Sequence, residues 1–128
     1  MKNVIKNEKR DEWKKQFSLR LITFSVNILR LADGLQKESV LRPVSDQLVR
    51  SATPVGANVT EAQGAGSTKD FANFFQIALK SAKETQYWLV VVNHYKRGEL
   101  VKVQELLEEI KEISKIITAS LLTMRGQR

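Results

Sequence analysis

Residues 58–71 read NVTEAQGAGSTKDF. Two close glycines, a Ser-Thr pair and a lysine are the ingredients of a loop that cradles a phosphate. In such loops backbone N–H groups and one cation hold the anion. The spacing is wrong for that chemistry. A Walker-type loop needs G-x-x-x-x-G-K-[ST] between a strand and a helix, whereas Gly64 and Gly66 stand two residues apart and the order here is Ser-Thr-Lys. The dinucleotide pattern G-x-G-x-x-G fails because Lys69 takes the place of its third glycine. The same residues suit a turn between two helices. Gly64 or Gly66 ends the first, and Ser67, with Asp70 three residues on, caps the second.

Other catalytic sets fail on residue type. The single histidine, His94, and the absence of cysteine leave no ordinary zinc site. Bundle di-iron centres need Glu-x-x-His pairs from two helices, and none is present. No arginine stands within six residues before His94, which removes the R-x4-6-H arrangement of helical RNases. Ser51 and Ser81 have no histidine base nearby. Glu61 and Glu84 could form an acid–base pair, but buried carboxylates more often serve structure. The expectation is a protein that is not an enzyme and carries no metal or cofactor. A hydrolase using Glu61 or Glu84 is the weaker alternative.

Four amphipathic segments must position these groups. In the first, Phe17, Leu21, Phe24, Ile28, Leu31 and Leu35 recur every three or four residues, the mark of one helix face. The second starts near Ser39 to Pro43 and runs along Val44, Leu48, Ala52, Val55, Val59 and Ala62. Pro54 falls inside it, which predicts a kink or a local break. The third carries Phe71, Phe75, Ala78, Ala82, Thr85, Leu89 and Val92, and stops near Gly98. The fourth, from about Leu100 to Met124, carries Val103, Leu106, Ile110, Ile113 and Ile117. The expected fold is all-α: one domain over residues 1–128, an antiparallel up-down-up-down four-helix bundle with left-handed packing. Residues 1–13 are expected to form a basic, partly disordered arm.

A second stripe on the third helix reads Phe74, Ile77, Ser81, Glu84, Trp88 and Val91. It places Ser81 and Glu84 among large apolar residues. If the second and third helices fold back at about residue 65, Arg50 comes level with Ser81 and Gln47 with Glu84. A structural polar cluster follows: Arg50 or Gln47 satisfies Glu84, while Asn58 and Glu61 satisfy groups near the turn. On this reading Glu84→Ala destabilises the bundle. The double stripe also makes the apolar arc wider than one core requires. Tyr87, Trp88, Val91 and Tyr95 therefore offer a subunit contact, or alternatively line a fully buried central helix.

The chain carries 21 Lys and Arg against 14 Asp and Glu, a net charge of +7. Residues 1–20 alone hold seven basic and three acidic groups. Such an imbalance favours contact with a polyanion, and Lys9, Arg10, Lys14, Lys15, Arg20 and Lys69 are the candidate nucleic-acid contacts. The longest uncharged apolar run, YWLVVV, is too short to cross a bilayer. With no cysteine and no signal-type leader, a soluble cytoplasmic protein is expected.

The stretch Gln47 to Leu89 resembles the small four-helix-bundle family encoded in intervening sequences of bacterial 23S rRNA genes, the S23-like proteins. That family also resembles the accessory variability determinant of diversity-generating retroelements. The shared residues are RSAT (Arg50 to Thr53), GANV (Gly56 to Val59), Glu61 with Ala62, Gly64, then Ser67, Lys69, Asp70 and Phe71, and finally Glu84 to Leu89 as E-T-x-Y-W-L. Pro54 stands where a serine is common. The resemblance implies a homopentamer of four-helix protomers. It also implies RNA or DNA as a partner, and in the retroelement branch a reverse transcriptase. The alternative to nucleic-acid binding is a protein-interaction scaffold.

Overall fold

The computed structural model describes residues 2–126, without the side chains of residues 2, 3 and 6. Lys2, Lys6 and Arg128, three of the basic groups counted above, therefore lie outside the described side chains. Four helices account for nearly all of it: α1 (Lys2–Leu35), α2 (Arg42–Gln63), α3 (Thr68–Tyr95) and α4 (Val101–Gly126). Among the described residues there is no strand. Each helix packs on its neighbour in the chain, and α1 closes the ring on α4. With turns this short the helices must alternate in direction, which gives the antiparallel four-helix bundle.

The four apolar stripes meet in one core. Phe24, Ile28, Leu48, Val55, Val59, Leu89, Val92, Ile110, Ile113 and Ile117 are almost completely withdrawn from solvent. Burying side chains of this size is the main favourable term in folding, roughly 1.5–3 kcal/mol for each. Between α2 and α3 the buried residues are small: Ala52, Ala78 and Ala82 are 0% exposed. These two helices make the most extensive contact in the bundle. Gly56 plays a similar part between α1 and α2. A Cβ there would lie 3.3 Å from that of Leu21.

The helix ends follow from local chemistry. Ser67 is the N-cap of α3, and its Oγ accepts from the Asp70 amide at 3.1 Å. Gly64 closes α2. The loop 64–67 is thus a cap-to-cap turn. At the other end of α3, Gly98 N–H donates to the Asn93 carbonyl and Arg97 N–H to that of His94. This is a Schellman arrangement in which Arg97 (φ 56°) takes the left-handed position usually given to glycine, with Gly98 (φ 71°) following. Ser45, fully buried, donates from its Oγ to the Ala32 carbonyl and pins α2 to α1.

Three expectations need correction. The arm at 1–13 is part of helix α1 from Lys2 onward. Pro54 does not break α2, which runs on as one helix through it; Thr53 and Asn58 side chains bond the Val49 and Pro54 carbonyls around it. The expected polar cluster is not formed. Glu84, Glu61 and Arg50 are exposed, Gln47 is half-buried, and no side-chain hydrogen bond joins any of them. Asn58 bonds only within its own helix, and Ser81 contributes only its carbonyl.

The hydroxyls of Ser51 and Thr85 occupy the place instead, 3.1 Å apart and buried. Each also reaches a carbonyl of its own helix, Leu48 for Ser51 and Ser81 for Thr85. The register differs because side chains lean toward the N-terminus of their own helix. In an antiparallel pair that brings together residues further from the turn on α3 than level matching assigns. Glu84 sits one position around the helix from Thr85, on the outward side.

Two stability predictions follow from this geometry. In urea unfolding, Glu84→Ala changes stability by no more than about 0.5 kcal/mol, as expected of an exposed side chain, while Thr85→Val costs about 1 kcal/mol through its lost bonds. Arg97→Gly raises stability by about 0.5–1 kcal/mol by relieving the left-handed conformation.

Candidate nucleic-acid interface

α1 is the longest helix, 34 residues against 22 to 28 for the others. Among its described side chains the first buried one is Phe17. The turns before it run past the core as a helical arm, with Trp13 stacked on Phe17 at 5.3 Å. Lys9, Arg10 and Lys15 are exposed on this arm and Lys14 is half-buried. Arg10 and Lys14 are one helical turn apart and share a face. None of these four forms an ion pair among the described residues. Glu8, Asp11 and Glu12 interleave with them: at about 100° per residue Lys9, Arg10 and Lys14 fall on one side of the arm, while Lys15 shares the other side with the three acids.

The arm emerges beside the α2–α3 turn. Lys14 lines a shallow hollow of about 350 Å³ with Gln63, Gly66, Ser67, Thr68 and Met124. The first turn of α3, carrying exposed Lys69, opens onto this end, and so does the last turn of α4 with Arg125. The antiparallel topology thus gathers five of the six expected contacts, Lys9, Arg10, Lys14, Lys15 and Lys69, at one end of the bundle.

Arg20 is the exception. Its guanidinium donates from Nε and a terminal nitrogen to both Glu109 carboxylate oxygens, at 2.8 and 2.7 Å. This bidentate bond, with the charges of Glu109 and Glu112 behind it, raises the Arg20 pKa further despite partial desolvation. Arg20 therefore serves as the clasp between α1 and α4. The pair was hidden in the sequence because its members are 89 residues apart and Glu109 looks like one more member of a solvated face.

Glu61 and Glu84 cannot act as one acid–base pair. Glu61 lies two residues back from the end of α2, whereas Glu84 lies 16 residues into α3, a separation of about 21 Å along the axis of the antiparallel pair at 1.5 Å per residue. His94 is exposed in the last turn of α3. Among the described residues no group of three or more His, Asp or Glu side chains is placed to hold a metal ion. No described helix is long and apolar enough to cross a membrane.

The proposed subunit contact on α3 is divided. Tyr87 and Tyr95 are 60% and 52% exposed. Trp88 and Val91 are half-buried, and Trp88 packs against the core with its Nε1 lacking an acceptor. A second apolar surface escaped the sequence reading. Leu19, Ile22, Val26 and Leu29 of α1 are 38–63% exposed and follow helical spacing. Ile22, Val26 and Leu29 line a furrow with Ser25, Gly56, Ala57 and Thr60 at the α1–α2 seam. Their spacing is legible in the sequence, but the core stripe running beside it draws the attention.

The family model for the 23S rRNA-intervening sequence protein matches residues 8–119. The chain belongs to this family. A solved structure of a protein with unknown function from the S23 ribosomal protein family of Bacteroides thetaiotaomicron is similar to it, with a TM-score of 0.76 and 32% identity over 82% of this chain and 97% of that one. No curated protein matches the chain. The S23-like resemblance seen in Gln47 to Leu89 thus extends to most of the bundle, including the basic half of α1 from residue 8.

The clasp gives one prediction. A double-mutant cycle of Arg20→Ala and Glu109→Ala, read by chemical denaturation, yields a coupling of about 0.5–1 kcal/mol that shrinks as salt is raised.

Proposed function

We propose that this member of the 23S rRNA-intervening sequence protein family is a non-enzymatic, homo-oligomeric protein that binds nucleic acid, RNA foremost, through the basic end of its bundle. The observation that carries the reading is the arm of α1. It is helical, it projects beyond the core, and its Lys9, Arg10, Lys14 and Lys15 are free to meet phosphates. Cations carried on a formed helix need no further ordering of the backbone on binding, and release of counterions from the nucleic acid drives the association. Lys69 and Arg125 extend the same surface. The family's description and the S23 ribosomal protein family of the solved relative point to RNA over DNA.

Two exposed apolar faces support self-association. Leu19, Ile22, Val26 and Leu29 lie on α1, and Tyr87 with Tyr95 on α3. Different faces meeting head to tail close a ring when the rotation allows, and five copies is the number the resemblance implies. Several copies would place several basic arms on one RNA and multiply a weak individual affinity. The α1 face also supports a second reading, a protein-interaction scaffold, of which an accessory subunit of a reverse transcriptase is one form.

Filter binding to a structured RNA separates these readings. The full chain binds at 50 mM salt and loses affinity steeply by 200 mM. Joint substitution of Lys9, Arg10, Lys14 and Lys15 by Gln lowers the slope of log affinity against log salt by about 3, near 0.7–0.9 for each phosphate contact removed. No binding at low salt, or an unchanged slope, refutes the basic arm as the contact. Light scattering is expected to give a multiple of 14.6 kDa, reduced to the single-chain mass by Ile22→Lys with Leu29→Lys.

A further inference from the structure

The seam between α1 and α4 opens at the end of the bundle away from the basic arm. Leu31 and Leu35 of α1 line a cavity of about 450 Å³ together with Leu100, just before α4, and Val101, its first residue. That volume falls within the range of about 300–1,000 Å³ common for small-ligand sites, and the walls are mostly apolar, as such sites require. The ion pair of Lys96 with Glu38 closes the far rim.

Gly34 lines the same cavity, and nothing lies within 4 Å of where its Cβ would stand. Its backbone is not in the left-handed region, which among the described residues holds only Arg97 and Gly98. A glycine inside a helix lowers its stability, and here neither packing nor backbone asks for one. Its physical effect is to leave that wall bare.

The rim decides the ligand. Arg30 and Lys102 line it and form no ion pair among the described residues. Counting Lys96 with them, three cations stand against Glu38 and Glu99, one positive charge in excess. We propose that this cavity binds a small organic monoanion, an aromatic or acyl carboxylate, with its apolar body between α1 and α4 and its carboxylate on Arg30 and Lys102. The site is remote from the basic arm and stands apart from the nucleic-acid reading.

Backbone amide NMR of the full chain tests this with 2-naphthoate as the probe and its uncharged carboxamide as the control. Naphthoate produces saturable shifts confined to residues near 27–38 and 96–102. The carboxamide binds about ten-fold more weakly, the loss of a charge-assisted bond. Gly34→Leu fills the cavity and weakens naphthoate at least ten-fold while the melting temperature holds or rises. Joint Arg30→Gln and Lys102→Gln brings naphthoate down to the affinity of the carboxamide. Several results overturn the proposal: no saturable shifts, equal affinity for the two probes, or undiminished binding by Gly34→Leu. Shifts of these residues with protein concentration instead of ligand also overturn it, since they assign the face to self-contact.

Discussion

Small residues in the middle of α2 and α3 set the shape of the bundle. The distance between packed helices depends on the side chains at the contact, and Ala52, Ala78 and Ala82 let these two come close. That proximity is what brings the Ser51 and Thr85 hydroxyls within bonding distance, each already served by a carbonyl of its own helix. The opposite seam is built otherwise. There α1 and α4 present Phe24, Ile28, Ile110, Ile113 and Ile117 to a shared core, touch one another sparingly, and are drawn together by Arg20 and Glu109. The cavity beside Gly34 and the smaller hollow near Asn27 and Glu105 both lie along this sparser seam.

Charge is arranged as unevenly as packing. α4 carries Glu105, Glu108, Glu109 and Glu112 along its outer side, with Lys111 and Lys115 bonded to acids of the same helix. A share of the positive excess, Lys9, Arg10, Lys14 and Lys15 among it, falls on the part of α1 that has no core to cover. Where a helix has no packing partner its composition answers to solvent and to whatever binds there. The structural part of α1, from Phe17 to Leu35, and its basic part are therefore two regions of one continuous rod.

Much of the fold was legible because a buried helix face repeats every three to four residues. Leu48, Ala52, Val55, Val59 and Ala62 read correctly through Pro54, since one lost hydrogen bond does not cancel five buried contacts. Ser67 and Gly98 marked real helix ends. The site was legible only in part. Lys9, Arg10, Lys14 and Lys15 are local features of one segment, and the short α2–α3 turn fixes where Lys69 must be. Arg20 misled because its partner is on the last helix, and no local pattern joins the two. Glu84 misled because a difference of one residue, about 100° of helix rotation, separates the buried Thr85 from an exposed position. Apolar residues on both sides of Glu84 did not reveal which way the boundary of the core turned.

The placement of the two tryptophans gives the molecule a pair of independent optical reporters. Trp13 is about half exposed on the arm, against Phe17, while Trp88 is half-buried and packed on the core. Emission from Trp13 should respond to anything that settles on the arm, and emission from Trp88 to loosening of the interior. Replacing either by phenylalanine isolates the other, so occupancy and unfolding become separable in one spectroscopic titration.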